Sequence, residues 1–225
     1  MQRRIALCAL AIFLASPLAA GAADPVAMPS GPELNFISAI QADLTVRFPT
    51  PAAAERAGFV HYTNEDNTGA ISYANNHWVS TSPREPSQLW YDVKGRLLGA
   101  DYSVLQDGNP TAPTLFGVDA SRFHKVPAHI HYVLKNADGT YTYGKAVRVK
   151  AWTDAGNDLA RIDAAGLVKT GAAQSVDQVA AVFLVPASWD MSVWVLPNPA
   201  GAFADANPNV IPAHTPAPAA PGAIH

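Results

Sequence analysis

The chain has 225 residues, 49% hydrophobic and 15% charged, with a formal net charge of −3 at pH 7. That length can bury a substantial core, as one large domain or two small ones, and the acidic balance excludes a polyanion-binding surface, so nucleic acid is not an expected partner. The single cysteine, Cys8, falls within the first 22 residues; beyond it the chain offers no disulfide, thiolate ligand, cysteine nucleophile or CxxC redox pair.

Residues 1–22 read as a secretory signal peptide. Arg3 and Arg4 form a positive start, Ile5 to Ala15 an apolar stretch too short to span a bilayer, and Ala20-Gly21-Ala22 a small-x-small cleavage pattern. The residues around the arginine pair fit ordinary secretion better than twin-arginine export. Without Arg3 and Arg4, 13 basic residues stand against 18 acidic ones, a net charge of −5. No later run of 18 apolar residues exists, so no membrane span is expected after signal removal, and the expected location is the periplasm or the exterior.

One β-rich globular domain is expected over 23–205, with a helical N-terminal part over 32–58. Ser30 and Glu33 have capping-box spacing and Pro32 suits a first turn, predicting a helix over 32–46 with Leu34, Ile37, Ile40, Gln41 and Leu44 near one face. Thr50-Pro51 opens a second short helix to Ala57, ended by Gly58. Short strands are expected at 71–73 and 78–80. A hairpin runs from 88–93 through Lys94-Gly95 to 96–105, followed by a Gly-, Pro- and Asp-rich loop over 107–119. A second hairpin pairs 128–134 with 140–152 around Asn136-Ala137-Asp138-Gly139. A helix is expected over 157–168, capped by Asn157, then strands over 179–185 and 191–196, interrupted by Pro186-Ala187-Ser188-Trp189. Residues 206–225 read as a Pro- and Ala-rich tail, disordered or draped on the surface. The fold class is therefore α+β, mainly antiparallel β, as a sandwich or barrel, with N-terminal helices and one later helix.

Chemistry concentrates in Pro127-Ala128-His129-Ile130-His131-Tyr132. Strand side chains alternate, so His129 and His131 share one face, with Ile130, Tyr132 and Leu134 on the other, the expected core face. Neutral imidazole is the commonest protein metal ligand, so the pair is a candidate chelate; the alternative is two surface histidines beside a core stripe. A catalytic metal needs at least a third ligand. His77 and His124 are the main candidates, and His61 a weaker one.

The run Pro127-Ala128-His129-Ile130-His131 resembles the iron-ligand strand of intradiol ring-cleaving dioxygenases. The resemblance covers this segment alone. It implies that His129 and His131 ligate non-haem iron, joined in that family by two tyrosinates on a β-sandwich. Val126 stands where the family has arginine, and no upstream segment reproduces the tyrosine motifs, although Tyr91 and Tyr102 lie on predicted strands. The cupin pattern also places His-x-His on a strand but expects a nearby glutamate, where this chain has Lys135 and Asn136.

The leading expectation is an exported metal-binding protein holding one first-row metal (iron, copper or zinc), with a non-haem oxidoreductase acting on a small-molecule substrate as the enzyme type. A non-catalytic secreted binding or assembly module is the alternative, and a secreted hydrolase the third.

Overall fold

The computed structural model describes residues 28–75 and 79–213. The expected signal segment, residues 76–78 and the tail from 214 lie outside the described residues.

The fold is α+β, with mainly antiparallel strands in two sheets and no closed barrel. Six strands form the first sheet: β1 (Val60–His61), β2 (Ile71–Ala74), β3 (Gln88–Tyr91), β4 (Leu97–Leu105), β9 (Ser188–Trp194) and β5 (His124–Val126), in that spatial order. Three form the second: β7 (Tyr141–Arg148), β6 (His129–Lys135) and β8 (Val179–Val185), with β6 in the middle. Only Pro127 and Ala128 separate β5 from β6, so the chain passes from one sheet to the other just before His129.

Helix α1 (Gly31–Arg47) forms where its cap predicts. The Ser30 N–H donates to Glu33 at 2.7 Å and Ser30 Oγ accepts from the Glu33 N–H. Its buried face is Phe36, Ile37, Ile40 and Leu44; Leu34, expected on that face, is 52% exposed. The apolar stripe is rotated because Phe36 reaches the sheet, packing on Tyr102 and Phe116 at ring separations of 5.3 and 5.7 Å. Glu33 is itself buried and ion-paired with Arg122 at 3.0 Å. Burial pushes its carboxyl up, but the bonds from Arg122 and from the Ser30 and Asp119 N–H groups outweigh this and hold it below its ordinary value. Helix α2 (Pro51–Arg56) starts at Thr50, whose Oγ accepts from the Ala53 N–H.

The β3–β4 hairpin turns on Asp92, whose side chain accepts from the Lys94 and Arg96 N–H groups, with Gly95 at φ 77°. The β6–β7 hairpin turns at 136–139 as expected. Its second arm ends at Arg148 rather than at 152: residues 149–154 form helix α3, which buries Trp152 against Ile130, Tyr132 and Leu167. Continuing the strand would have left that indole outside the core. The helix expected over 157–168 is shorter and later, α4 (Ala164–Thr170), capped by Asp163 and ended by Gly171 in the left-handed region. Asn157 bonds to the Gly166 carbonyl instead of capping.

Two more boundaries moved. Val79 and Ser80 are not strand, and β9 already includes Ser188 and Trp189, because both pair with β4 and β5. The segment after 205 drapes over the first sheet as far as 213, burying Asn207 and Val210.

Candidate functional site

The six-stranded sheet has two unlike faces. Leu89, Tyr91, Ala100, Tyr102, Met191 and Val193 pack beneath α1 in one apolar cluster. The intervening positions, Trp90, Asp101, Ser103, Asp190, Ser192 and Trp194, make the opposite face polar and aromatic. β5 brings His124 to this face, opposite Asp190, while β6 carries His129 and His131 in the second sheet.

Both β6 histidines are buried, at 8% exposure for His129 and 3% for His131. β6 is therefore covered on both faces, with Ile130 and Tyr132 under α3 and α4 and the histidines on the other side. This removes the reading of two surface histidines. A carbonyl can only accept, so the 2.9 Å contact from His129 Nδ1 to the Pro127 carbonyl places a proton on Nδ1 and leaves Nε2 as the basic nitrogen. His131 has a backbone hydrogen bond to Tyr62. Its Nε2 is buried and has no partner among the described residues, so Nδ1 makes that bond. Burial first, and then His129, depress the His131 pKa to about 4, against the opposing effect of the Tyr62 bond. The imidazole is neutral at neutral pH, the form a metal binds.

The ring of Tyr62 stacks on His131 at 4.0 Å, and Phe183 tilts against it at 5.1 Å. Burial first, and then the negative charge of Asp190 and Asp101, raise the Tyr62 pKa, so its hydroxyl stays protonated. The two imidazole centres stand 6.5 Å apart. With a metal–nitrogen bond of about 2.1 Å, two rings on one tetrahedral ion would stand about 5.2 Å apart. Around a tetrahedral ion, one imidazole must therefore turn before both Nε2 atoms reach it.

The other expected ligands do not gather there. No group of three His, Asp, Glu or Cys side chains suited to a metal exists among the described residues. His124 lies on β5, opposite Asp190. His61 is sandwiched between Tyr73 and Tyr143 with Nε2 2.7 Å from the Thr63 carbonyl. Tyr91 and Tyr102 are buried beneath α1, their hydroxyls donating to the Phe48 and Pro83 carbonyls. His77 lies outside the described residues.

A carboxyl pair that the sequence pattern did not single out lies on the polar face of the six-stranded sheet. β4 and β9 pair Asp101 with Ser192 and Ser103 with Asp190, so the aspartates are diagonal neighbours on one face. Asp101 accepts from Trp90 Nε1 at 2.9 Å and Ser192 Oγ at 2.7 Å, and Asp190 from Ser103 Oγ at 2.6 Å. The two carboxyls are close enough to act on each other's ionisation. Burial, reinforced by Asp190, raises the Asp101 pKa well above the ordinary range. Burial raises Asp190 as well, against the bond from Ser103 and the nearby His124. The pair opens onto a cavity of about 530 Å³ edged by Trp90, Trp194, His124 and Lys125. A larger cavity, about 730 Å³, is lined by Phe48, Phe59, Leu105 and Pro186; its Arg47 and Arg84 are already paired with Asp43. The sequence signal that could have found the pair is a single acid in the middle of each apolar strand, in Gly99-Ala100-Asp101-Tyr102 and Trp189-Asp190-Met191.

Comparison with known proteins found no matching family model, no matching curated protein and no matching solved structure.

Proposed function

We propose that this chain is an exported metal-binding enzyme that holds one first-row metal ion through Nε2 of His129 and His131. The observation that carries this reading is the partnerless, buried Nε2 of His131. A buried polar atom without a bond costs free energy that a bound ion would recover. Both Nδ1 atoms are held by backbone groups, the arrangement that fixes a ligating imidazole in its orientation. His77 is the candidate third ligand, and with nitrogen and oxygen donors alone iron, copper and zinc all suit the pair. When bound, the metal would supply Lewis acidity or oxygen activation to a small organic substrate.

Elemental mass spectrometry of the untagged protein tests this. Near-stoichiometric metal, lost in a folded His129→Ala/His131→Ala variant and weakened in His77→Ala, is the expected result. No metal after reconstitution with iron, copper and zinc would sink it.

A second reading, acid–base hydrolysis, is supported by the Asp101–Asp190 pair. Two neighbouring carboxyls whose pKa values are both raised can serve as acid and base in one site, and these face a cavity. Turnover of chromogenic esters or glycosides that disappears in Asp190→Asn would favour it; unchanged turnover in that variant would count against it.

A further inference from the structure

Two serines stand behind the carboxyl pair, Ser87 fully buried and Ser103 nearly so. Ser87 Oγ lies 3.0 Å from the Asp101 carbonyl and 2.8 Å from Ser103 Oγ, and Ser103 Oγ lies 2.6 Å from Asp190 Oδ1. The three contacts run in one line from the backbone of β4 to the carboxyl on β9.

A carbonyl only accepts, and a hydroxyl has one proton to give. Three contacts need three protons, and the two hydroxyls hold two. With Asp190 ionised, Ser103 donates to it and Ser87 donates to Ser103. Ser87 Oγ then faces the Asp101 carbonyl with no proton between the two oxygens. With Asp190 protonated, it donates to Ser103, Ser103 to Ser87, and Ser87 to the carbonyl, so every contact is served. Burial of both serines keeps bulk water from supplying the missing proton. Asp101 stands the other way. Its Oδ2 accepts from Trp90 Nε1, which can only donate, and its Oδ1 from Ser192 Oγ. A proton on Asp101 would displace or reverse one of these bonds; a proton on Asp190 completes a chain.

We propose that Ser87 and Ser103 hold the last proton of the Asp101–Asp190 pair on Asp190. The other titratable groups acting on the pair are Asp66 on Asp101, His124 on Asp190, and Tyr62. His124, opposite Asp190 on β5, favours its carboxylate and so opposes the serine chain. The repulsion from Asp190 that raises Asp101 requires a charge on Asp190 and disappears when Asp190 is neutral. Resting on the hydrolytic reading of this cavity, Asp190 is then the acid and Asp101 the base. Asp190 gives its proton to the leaving oxygen of the substrate, the electron pair of the broken O–H bond stays on its carboxylate, and Asp101 takes a proton from the attacking water. The chain reverses, with Ser103 donating to the new carboxylate and Ser87 to Ser103. Both serines act through Asp190 and are positioning residues.

Carbon-13 NMR of the side-chain carboxyls, followed from about pH 4 to about pH 9, tests the proton's place. As pH rises in the parent, the Asp101 carbon is expected to take its carboxylate position first and the Asp190 carbon last. Ser87→Ala removes the acceptor that holds the Ser103 proton and frees Ser103 to donate to Asp190. Asp190 is then expected to titrate about one pH unit lower. Without the chain, loss of a buried polar neighbour acts in the opposite direction and raises a carboxyl. Ser87→Thr keeps the hydroxyl and is expected to titrate as the parent does. Circular dichroism checks that each variant folds, and the parent titration decides by itself if neither does. Turnover of the chromogenic esters and glycosides is measured on the same samples. No turnover with Asp190 titrating last sinks the hydrolytic reading and upholds the proton's place. Asp101 titrating last, with or without turnover, overturns the proposal, as does a folded Ser87→Ala variant whose Asp190 titrates at or above the parental pH.

Discussion

The two faces of the six-stranded sheet come from the same strands and have opposite physics. Beneath α1, alternate residues of β3, β4 and β9 are apolar, and even the buried tyrosines end in hydrogen bonds to carbonyls. One residue along each strand, the other face holds two aspartates, a serine network and two tryptophans beside a cavity. Asp101 and Tyr102 are neighbours in sequence and sit on opposite sides of this divide. One face is built to exclude water. The other buries carboxyls that form no salt bridge among the described residues, at a cost in stability, which is the pattern expected where chemistry rather than packing selects the residues.

The difference can be broken from the packed side first. Glu33→Ala leaves the nearly buried Arg122 guanidinium without its carboxylate and removes half of the α1 cap. A loss of about 3–5 kcal/mol is expected from chemical denaturation, with the cavity face unchanged in structure. Leu44→Ala, at a fully buried position under the sheet, should cost about 2–5 kcal/mol. Gly99→Ala tests the seam between the faces. A Cβ there would stand 2.4 Å from the Trp90 ring and 2.6 Å from the Val193 carbonyl. The ring must move, with a loss of about 1–3 kcal/mol and a weakened Trp90–Asp101 bond.

The smallest change should have the opposite sign. Asp101→Asn keeps one oxygen to accept from Trp90 Nε1 and puts an amide N–H that can donate to Ser192 Oγ in place of the other, but removes a carboxyl whose folded-state pKa is raised by burial and by Asp190. Such a group favours the fold most below its ordinary pKa of 3.8, and that contribution falls as pH rises through the folded value. The variant should therefore gain stability at neutral and alkaline pH, each kcal/mol raising Tm by about 2–4 °C, and the gain should shrink towards pH 4. His131 acts in the other direction. Its pKa is lowered from 6.5 to about 4, so its neutral burial stabilises the fold above 6.5 and is lost as pH falls towards 4. Thermal melts of the parent, Asp101→Asn and His131→Gln across pH 4–9 separate the two contributions. An Asp101→Asn melt that stays below the parent at every pH would show that the carboxyl is a structural contributor and not a strained group.

What local pattern encodes was legible in the sequence. The Ser30–Glu33 cap, the Asp92–Gly95 and Asn136–Gly139 turns and the alternation along 129–134 each involve residues a few positions apart, where backbone sterics and single hydrogen bonds decide the outcome. They determine two hairpins, an N-terminal helix and a mainly antiparallel α+β fold, and they place His129 and His131 on one face. Tertiary structure decided the rest. It bent 149–154 into a helix because Trp152 needed a core, and it chose Phe36 over Leu34 because the sheet lay there. It closed both faces of β6, a fact that period-two alternation leaves open. It joined Asp101 to Asp190 across 89 positions of chain through the register of β4 on β9, which strand composition alone does not specify. Alternation says which side of its own strand a residue takes; only the packed sheet says what stands on that side.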